Sequence, residues 1–271
     1  MTMERLPSWL RQHLAAIRAV VVLTVILGGL YPLAVTGVAQ AVFHGKANGS
    51  LIEKDGRTVG SAIIGQNFTD AGGNAVARYF QSRPSAAGYD MLSTAASNLG
   101  PEDVIDSRDR QSLLTQVCAR SKAIGEREGV SGARPYCTAD GVGAVLKVFR
   151  DRVVSVNQAC PAVPFVAAYE GKTVTCATPG EDYAAGRTVP VRGNTAAVVP
   201  ADAVTAGGSG LDPHISVAYA ELQAPRVARE RGLDLARVRQ LIGEHTTGRA
   251  LGFMGAPAVN VLELNLALDG G

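Results

Sequence analysis

Ser209, Asp212 and His214 bring a hydroxyl, a carboxylate and an imidazole within six residues, in the string GGSGLDPH at 207–214. Such groups could activate a serine for acyl transfer, and Gly207-Gly208-Ser209-Gly210 resembles the start of a nucleophile elbow. That elbow needs glycine where this chain has Leu211, because strand and helix must pack closely there. Triad members also converge from separate segments so that the base is oriented between its partners. A membrane-tethered extracytoplasmic hydrolase built on Ser209, His214 and Asp212 is therefore the alternative reading, and no catalytic residue is assigned.

Other near-motifs fail on one position each. Gly171-Lys172-Thr173 imitates the end of a P-loop, but Val166 stands where its first glycine must be. Gly141-x-Gly143 lacks the third glycine of a dinucleotide fingerprint, where Leu146 sits. His214 and His245, the histidines beyond residue 44, could join Asp212 on a metal, yet the set falls short of four ligands. Their ordinary reading is His214 in the first turn of one helix and His245 at the end of another, where its charged form suits the dipole. No metal site or directly bound cofactor is expected. Ser97-Asn98-Leu99-Gly100-Pro101 reads as a turn.

Cys118, Cys137, Cys160 and Cys176 are widely spaced along one stretch, with no C-x-x-C pair that would suit zinc. An even set confined to one region suits two disulfides in an oxidising compartment, with three pairings open. Four buried thiols are the alternative.

These residues must be positioned by a chain with a pronounced apolar start. Residues 19–43 form 25 consecutive positions without a charge, thirteen of them Val, Leu, Ile or Phe. As a helix the run reaches roughly 37 Å, beyond the roughly 30 Å of a bilayer's hydrocarbon core. It reads as an uncleaved membrane helix. Ala39-Gln40-Ala41 would suit signal-peptide cleavage, but the apolar core of a signal peptide is usually well short of this length. Gly28, Gly29 and Pro32 lie mid-span and suit packing against partner helices. Arg5, Arg11 and Arg18 precede the run, and Lys46, Lys54 and Arg57 follow it, so basic residues are balanced. The free amine and the nearness of Arg11 and Arg18 favour a cytoplasmic tail at 1–18. With the cysteines, this places residues 44–271 outside the cytoplasm.

The exported part is read as one α+β domain. Net charge is +2, from 26 basic and 24 acidic residues, which argues against nucleic acid as a partner. Short β-prone runs at 163–167 and 172–176, broken by Pro135, Pro161, Pro164, Pro179 and Pro190, suggest a β-rich, cysteine-containing insertion at about 122–198. Residues 61–65 read as a strand and 74–80 as a helix. Asp212-Pro213 offers a helix N-cap, with the helix reaching Arg231, a break or restart at Pro225, and an end at Gly232. Asp234 caps the next helix, where Leu235, Val238, Leu241 and Ile242 recur at helical spacing while Arg237, Arg239 and Glu244 face out. Gly252, Gly255 and Pro257 mark a turn. Beyond it Leu262, Leu264, Leu266 and Leu268 alternate as in a half-buried strand.

Seven strings recur in order in one known family: GSAIIGQNF (60–68), YFQSRPSAAGYD (79–90), SNLGP (97–101), GSGLDPHIS (208–216), RVARERGL (226–233), HTTGRALGFMG (245–255) and VNVLELNLALD (259–269). With the N-terminal apolar run they resemble the KdpC family, the small C subunits of the bacterial high-affinity potassium-transporting P-type ATPase. The resemblance leaves out roughly residues 122–198, where family members are expected to be shorter. It implies an accessory subunit, non-catalytic alone. Its partners would be a channel-like potassium-translocating subunit and a P-type ATPase subunit, which handle potassium and ATP. It further implies a catalytic chaperone raising the ATP affinity of the pump subunit, with Gln223 touching nucleotide. The residue type alone equally fits a polar helix position at a partner contact. A disulfide-stapled binding module without a pump is the remaining alternative.

Overall fold

The computed structural model describes residues 7–161, 164–178 and 180–270. Arg5, Pro179 and the start of the 163–167 run lie outside the described residues. The chain forms two compact units, residues 1–63 and 64–271.

The first unit is an apolar helix followed by a hairpin. Helix α1 (Ser8–Val25) passes through a π-helical turn at Ile26–Leu30 into α2 (Tyr31–Val42). The π turn has a local cause. Pro32 lacks an N–H, and in an α-helix its ring would strike the carbonyl four residues back, that of Gly28. Widening the turn takes that carbonyl out of the way, and Tyr31 N–H donates to Ile26 O, five residues back. No residue of α1 or α2 is buried within the chain. The short α3 (His44–Ala47) leads to strands β1 (Leu51–Lys54) and β2 (Arg57–Ser61), antiparallel with Lys54 opposite Arg57. Asp55 and Gly56 turn the chain, both at positive φ, the two left-handed positions a two-residue hairpin needs.

The second unit holds the main core. Helix α4 (Leu113–Glu128) starts at Ser112, whose hydroxyl accepts from Thr115 N–H, and stops at left-handed Gly129. Next comes a five-stranded sheet: β3 (Val145–Val148), β4 (Val153–Ser155), β5 (Ala168–Tyr169), β6 (Lys172–Cys176) and β7 (Arg187–Pro190). Its order is β5-β6-β4-β3-β7, antiparallel except where β4 runs parallel to β6. Leu146, Val148, Val153 and Val174 pack on one another as its own small core. Cys118 pairs with Cys137, joining α4 to the approach to β3, and Cys160 pairs with Cys176 at the end of β6.

The rest is helical around a three-stranded antiparallel sheet. Helix α5 (Ala201–Val204) precedes β8 (His214–Ser216), α6 (Val217–Arg231), α7 (Leu235–Glu244), β9 (Thr246–Thr247), β10 (Ala258–Asn260) and α8 (Val261–Asp269). Strand β10 lies between β8 and β9, with Val259 opposite both Ile215 and Thr246. Tyr219, Val227, Val238, Ile242, Val259, Leu264 and Phe80 close the core. Gly232 ends α6 in the left-handed region, and Asp234 caps α7 by accepting from Ala236 N–H, both as the sequence indicates. Val238, Leu241 and Ile242 are buried, while Arg237, Arg239 and Glu244 face out.

Several local expectations are corrected. Residues 262–268 are helical: burial falls at Val261, Leu262, Leu264, Asn265 and Leu268, one broad helix face rather than every second residue, and Asn260 caps the helix by accepting from Glu263 N–H. Asp212 is not an N-cap, because 214–216 pair as a strand and Ser216 caps α6. His214 thus sits on a strand rather than in a first helical turn. Helix α6 runs through Pro225 without a break. Of the expected strand at 61–65 only Ser61 is in one, residues 74–80 form no helix, and residues 164–167 form no strand. The region at 122–198 is not β-rich from its start, since α4 runs through residue 128 and the sheet occupies 145–190.

Candidate functional site

The most organised polar cluster centres on Gln223, the residue singled out through the family resemblance. Its side chain projects from α6 and is fully buried. Both amide atoms are engaged by one backbone residue: Gln81 N–H donates to Gln223 Oε1 at 2.7 Å, and Gln223 Nε2 donates to Gln81 O at 3.1 Å. One residue upstream, Asn265 from α8 treats Phe80 the same way, accepting its N–H and donating to its carbonyl, each at 2.9 Å. Segment 76–81 belongs to no helix or strand, yet Phe80 and Gln81 are buried, so their backbone groups need partners. Two side-chain amides supply what a neighbouring strand would.

An arginine extends this clamp. Arg226, three residues along α6, donates to Gln223 Oε1 at 3.0 Å, to Tyr79 O at 3.1 Å and to Ala77 O. Its Nε faces the fully buried Glu128 carboxylate at 2.9 Å. Arg127 also reaches Glu128, at 2.8 Å, and donates to Tyr219 Oη at 3.3 Å. Burial raises the pKa of Tyr219. A buried carboxylate is costly unless paired, and here two guanidiniums answer it. Asn265, Arg226 and Glu128 went unassigned in the sequence; Arg226 and Asn265 nonetheless fall within two of the family strings.

The suspected triad does not assemble. Asp212 accepts from His214 N–H at 3.0 Å, with its carboxylate 3.5 Å from the His214 ring, and pairs with Arg83 at 2.9 Å. The His214 contact first, and then Arg83, hold the Asp212 carboxyl down at about 2. Ser209 Oγ accepts from Leu211 N–H, and among the described residues no hydrogen bond joins it to His214. Beneath this loop, burial pushes Tyr89 up to about 12, and its hydroxyl donates to Arg83 O at 2.9 Å. A carboxylate fixed by an arginine and a backbone N–H anchors a loop.

The remaining candidates are structural. Gly171 lies in the two-residue turn between β5 and β6 at positive φ, so it cradles no phosphate. His245 caps the C-terminus of α7, with Glu263 3.9 Å away. No cluster of three or more metal-ligating side chains occurs among the described residues. Gly28 and Gly29 fall in the π turn, and Pro32 follows it. A Cβ on Gly29 would meet nothing within 4 Å, and one on Gly28 only Thr24 at 3.9 Å, so packing within the chain does not require either glycine.

A bilayer-length apolar helix, joined to a domain whose buried polar groups fasten its own chain, has the build of an accessory subunit. Comparison with known proteins makes this specific. The family model described as "K+-transporting ATPase, c chain" (KdpC) matches residues 13–140 and 181–270. Among curated proteins, the Potassium-transporting ATPase KdpC subunit of Mycobacterium tuberculosis (strain ATCC 25618 / H37Rv) is 39% identical over 261 residues, covering 96% of this chain and 98% of that one. That of Rhodospirillum rubrum is 41% identical over 249 residues (91% and 89%), and that of Koribacter versatilis 37% over 252 residues (92% and 90%). The chain belongs to this family of potassium-transporting ATPase C subunits. The family model omits 141–180, most of the five-stranded sheet, but these relatives align nearly end to end.

Proposed function

We propose that this chain is a membrane-anchored, non-catalytic accessory subunit of an ATP-driven potassium importer. It supports the assembly and activity of a channel-like subunit and a P-type ATPase subunit, which handle the ion and the nucleotide. Family membership over nearly the whole chain is the observation that carries this reading. The helix at Ser8–Val42 is long and apolar enough to cross a bilayer, with none of its apolar window buried within the chain, which leaves it for lipid and neighbouring helices. In our reading the N-terminus is cytoplasmic and residues 44–271 are extracytoplasmic, supported by the two disulfides, which persist in oxidising compartments. Gly28, Gly29 and Pro32 form the helix-packing surface.

For Gln223 we favour fastening segment 76–81 over touching nucleotide, because both ends of its amide are already used inside a water-excluded core. Any support for ATP binding by the pump subunit then runs through assembly. Complementation tests the reading. A strain lacking this chain should fail to grow at limiting potassium, and Ser209→Ala should restore growth as fully as the unaltered chain. A Ser209→Ala variant that is stably produced but fails to complement would favour the hydrolase instead.

A further inference from the structure

Three arginines, one of them without a carboxylate partner among the described residues, converge on one cavity. It measures about 390 Å³ and is lined by Arg83, Arg120, Arg127 and Tyr219, among others, with no carboxylate in its wall. Arg120 Nη1 donates to Val204 O at 3.0 Å and Arg83 Nη2 reaches Thr205 O at 3.5 Å, so adjacent carbonyls hold two guanidiniums side by side. Arg127 lies seven residues beyond Arg120 on α4, two turns along the same face.

The charges do not balance. Arg83 has Asp212, and Glu128 is shared between Arg127 and Arg226, but Arg120 has no carboxylate partner among the described residues. Of the three guanidiniums in the wall, Arg83 and Arg127 each meet a carboxylate and Arg120 meets none. Burial lowers the pKa of Arg120, as expected for a desolvated cation lacking a counter-charge. Arg83 Nε is buried and has no hydrogen-bond partner.

We propose that this cavity binds a dianionic phosphate group, either inorganic phosphate or a small phosphate monoester. Guanidinium forks match phosphate oxygens, and a phosphate monoester carries about −1.5 to −2 charge at pH 7, which would answer Arg120 beside its two paired neighbours. The uncommitted N–H groups of Arg120 and Arg127 are the donors, with the Arg83 guanidinium beside them adding positive charge.

The full chain in mild detergent is titrated calorimetrically with inorganic phosphate in one arm and glycerol 3-phosphate in the other. We expect one saturable site, weakened about tenfold by Arg120→Gln, roughly the loss of one charge-assisted hydrogen bond. The exposed control Arg239→Gln should bind as the unaltered chain does. Tighter binding of phosphate identifies the free ion, and tighter binding of the ester identifies a monoester; either supports the site. Phosphate should also raise the melting temperature of the unaltered chain, a readout that requires no variant. Absence of saturable binding in both arms, equal binding by Arg120→Gln, or tighter binding of malonate than of phosphate would overturn the proposal.

Discussion

Gln223 and Gln81, 142 residues apart, are joined by two hydrogen bonds of 2.7 and 3.1 Å that use both ends of the Gln223 amide and both backbone groups of Gln81. A backbone that runs through a core outside any sheet is thereby satisfied, and the same device recurs at Asn265 and Phe80. Gln223→Ala strands a buried N–H and a buried carbonyl, at roughly 1–3 kcal/mol each. We expect a loss of about 2–5 kcal/mol, read as a lower midpoint in urea unfolding. Asn265→Ala should cost a similar amount, and the double variant less than the sum, since both clamp one segment.

The pH dependence near Asp212 has a defined sign. Its carboxyl is held at about 2 in the folded chain, against about 4 when unfolded. Its contribution to stability is therefore full above about pH 4 and lost as pH falls through about 2. Acid melts should show Asp212→Asn less stable than the unaltered chain at about pH 6, with the difference shrinking between about pH 4 and pH 2.

The two disulfides differ in their surroundings. Cys118 is 1% exposed on the inner face of α4, whereas Cys160 is exposed and pairs with Cys176 at the end of β6. Replacing Cys118 and Cys137 with serine should cost about 2–4 kcal/mol, and more than the same change at Cys160 and Cys176. Urea midpoints of the paired variants check this. Thiol labelling after denaturation of material made in the native host should find no free cysteine.

Leucine at Gly28, Gly29 and Pro32 should leave membrane insertion intact and impair assembly, because each change adds bulk on a helix surface that nothing in the chain covers. Membrane fractionation and native gels of the complex separate the two effects. Unchanged assembly would show that this face meets only lipid.

Local chemistry made α7 legible: Asp234 caps it, Val238, Leu241 and Ile242 bury at helical spacing, and Gly232 ends the helix before it. The leucines at 262–268 misled because they fall on every second position, the strand period, while Val261, Leu264 and Leu268 also fit one helix face; Asn260 followed three residues on by Glu263 was the decisive signal. Residues 74–80 could not be read locally, since their backbone partners come from α6 and α8, far along the chain. Helix α4 was legible in principle, from Ser112 and Gly129 at its ends. The triad string misled by proximity: groups close in sequence were placed to anchor a loop rather than to meet a substrate.

Affinity purification of the tagged chain from its native host, grown at limiting potassium, bears most directly on its role as an accessory subunit. A channel-like subunit and a P-type ATPase subunit should co-purify with it, and potassium-stimulated ATP hydrolysis should reside in that assembly and vanish when this chain is omitted. Recovery of the chain alone, or undiminished potassium-stimulated hydrolysis by the other two subunits without it, would contradict the account.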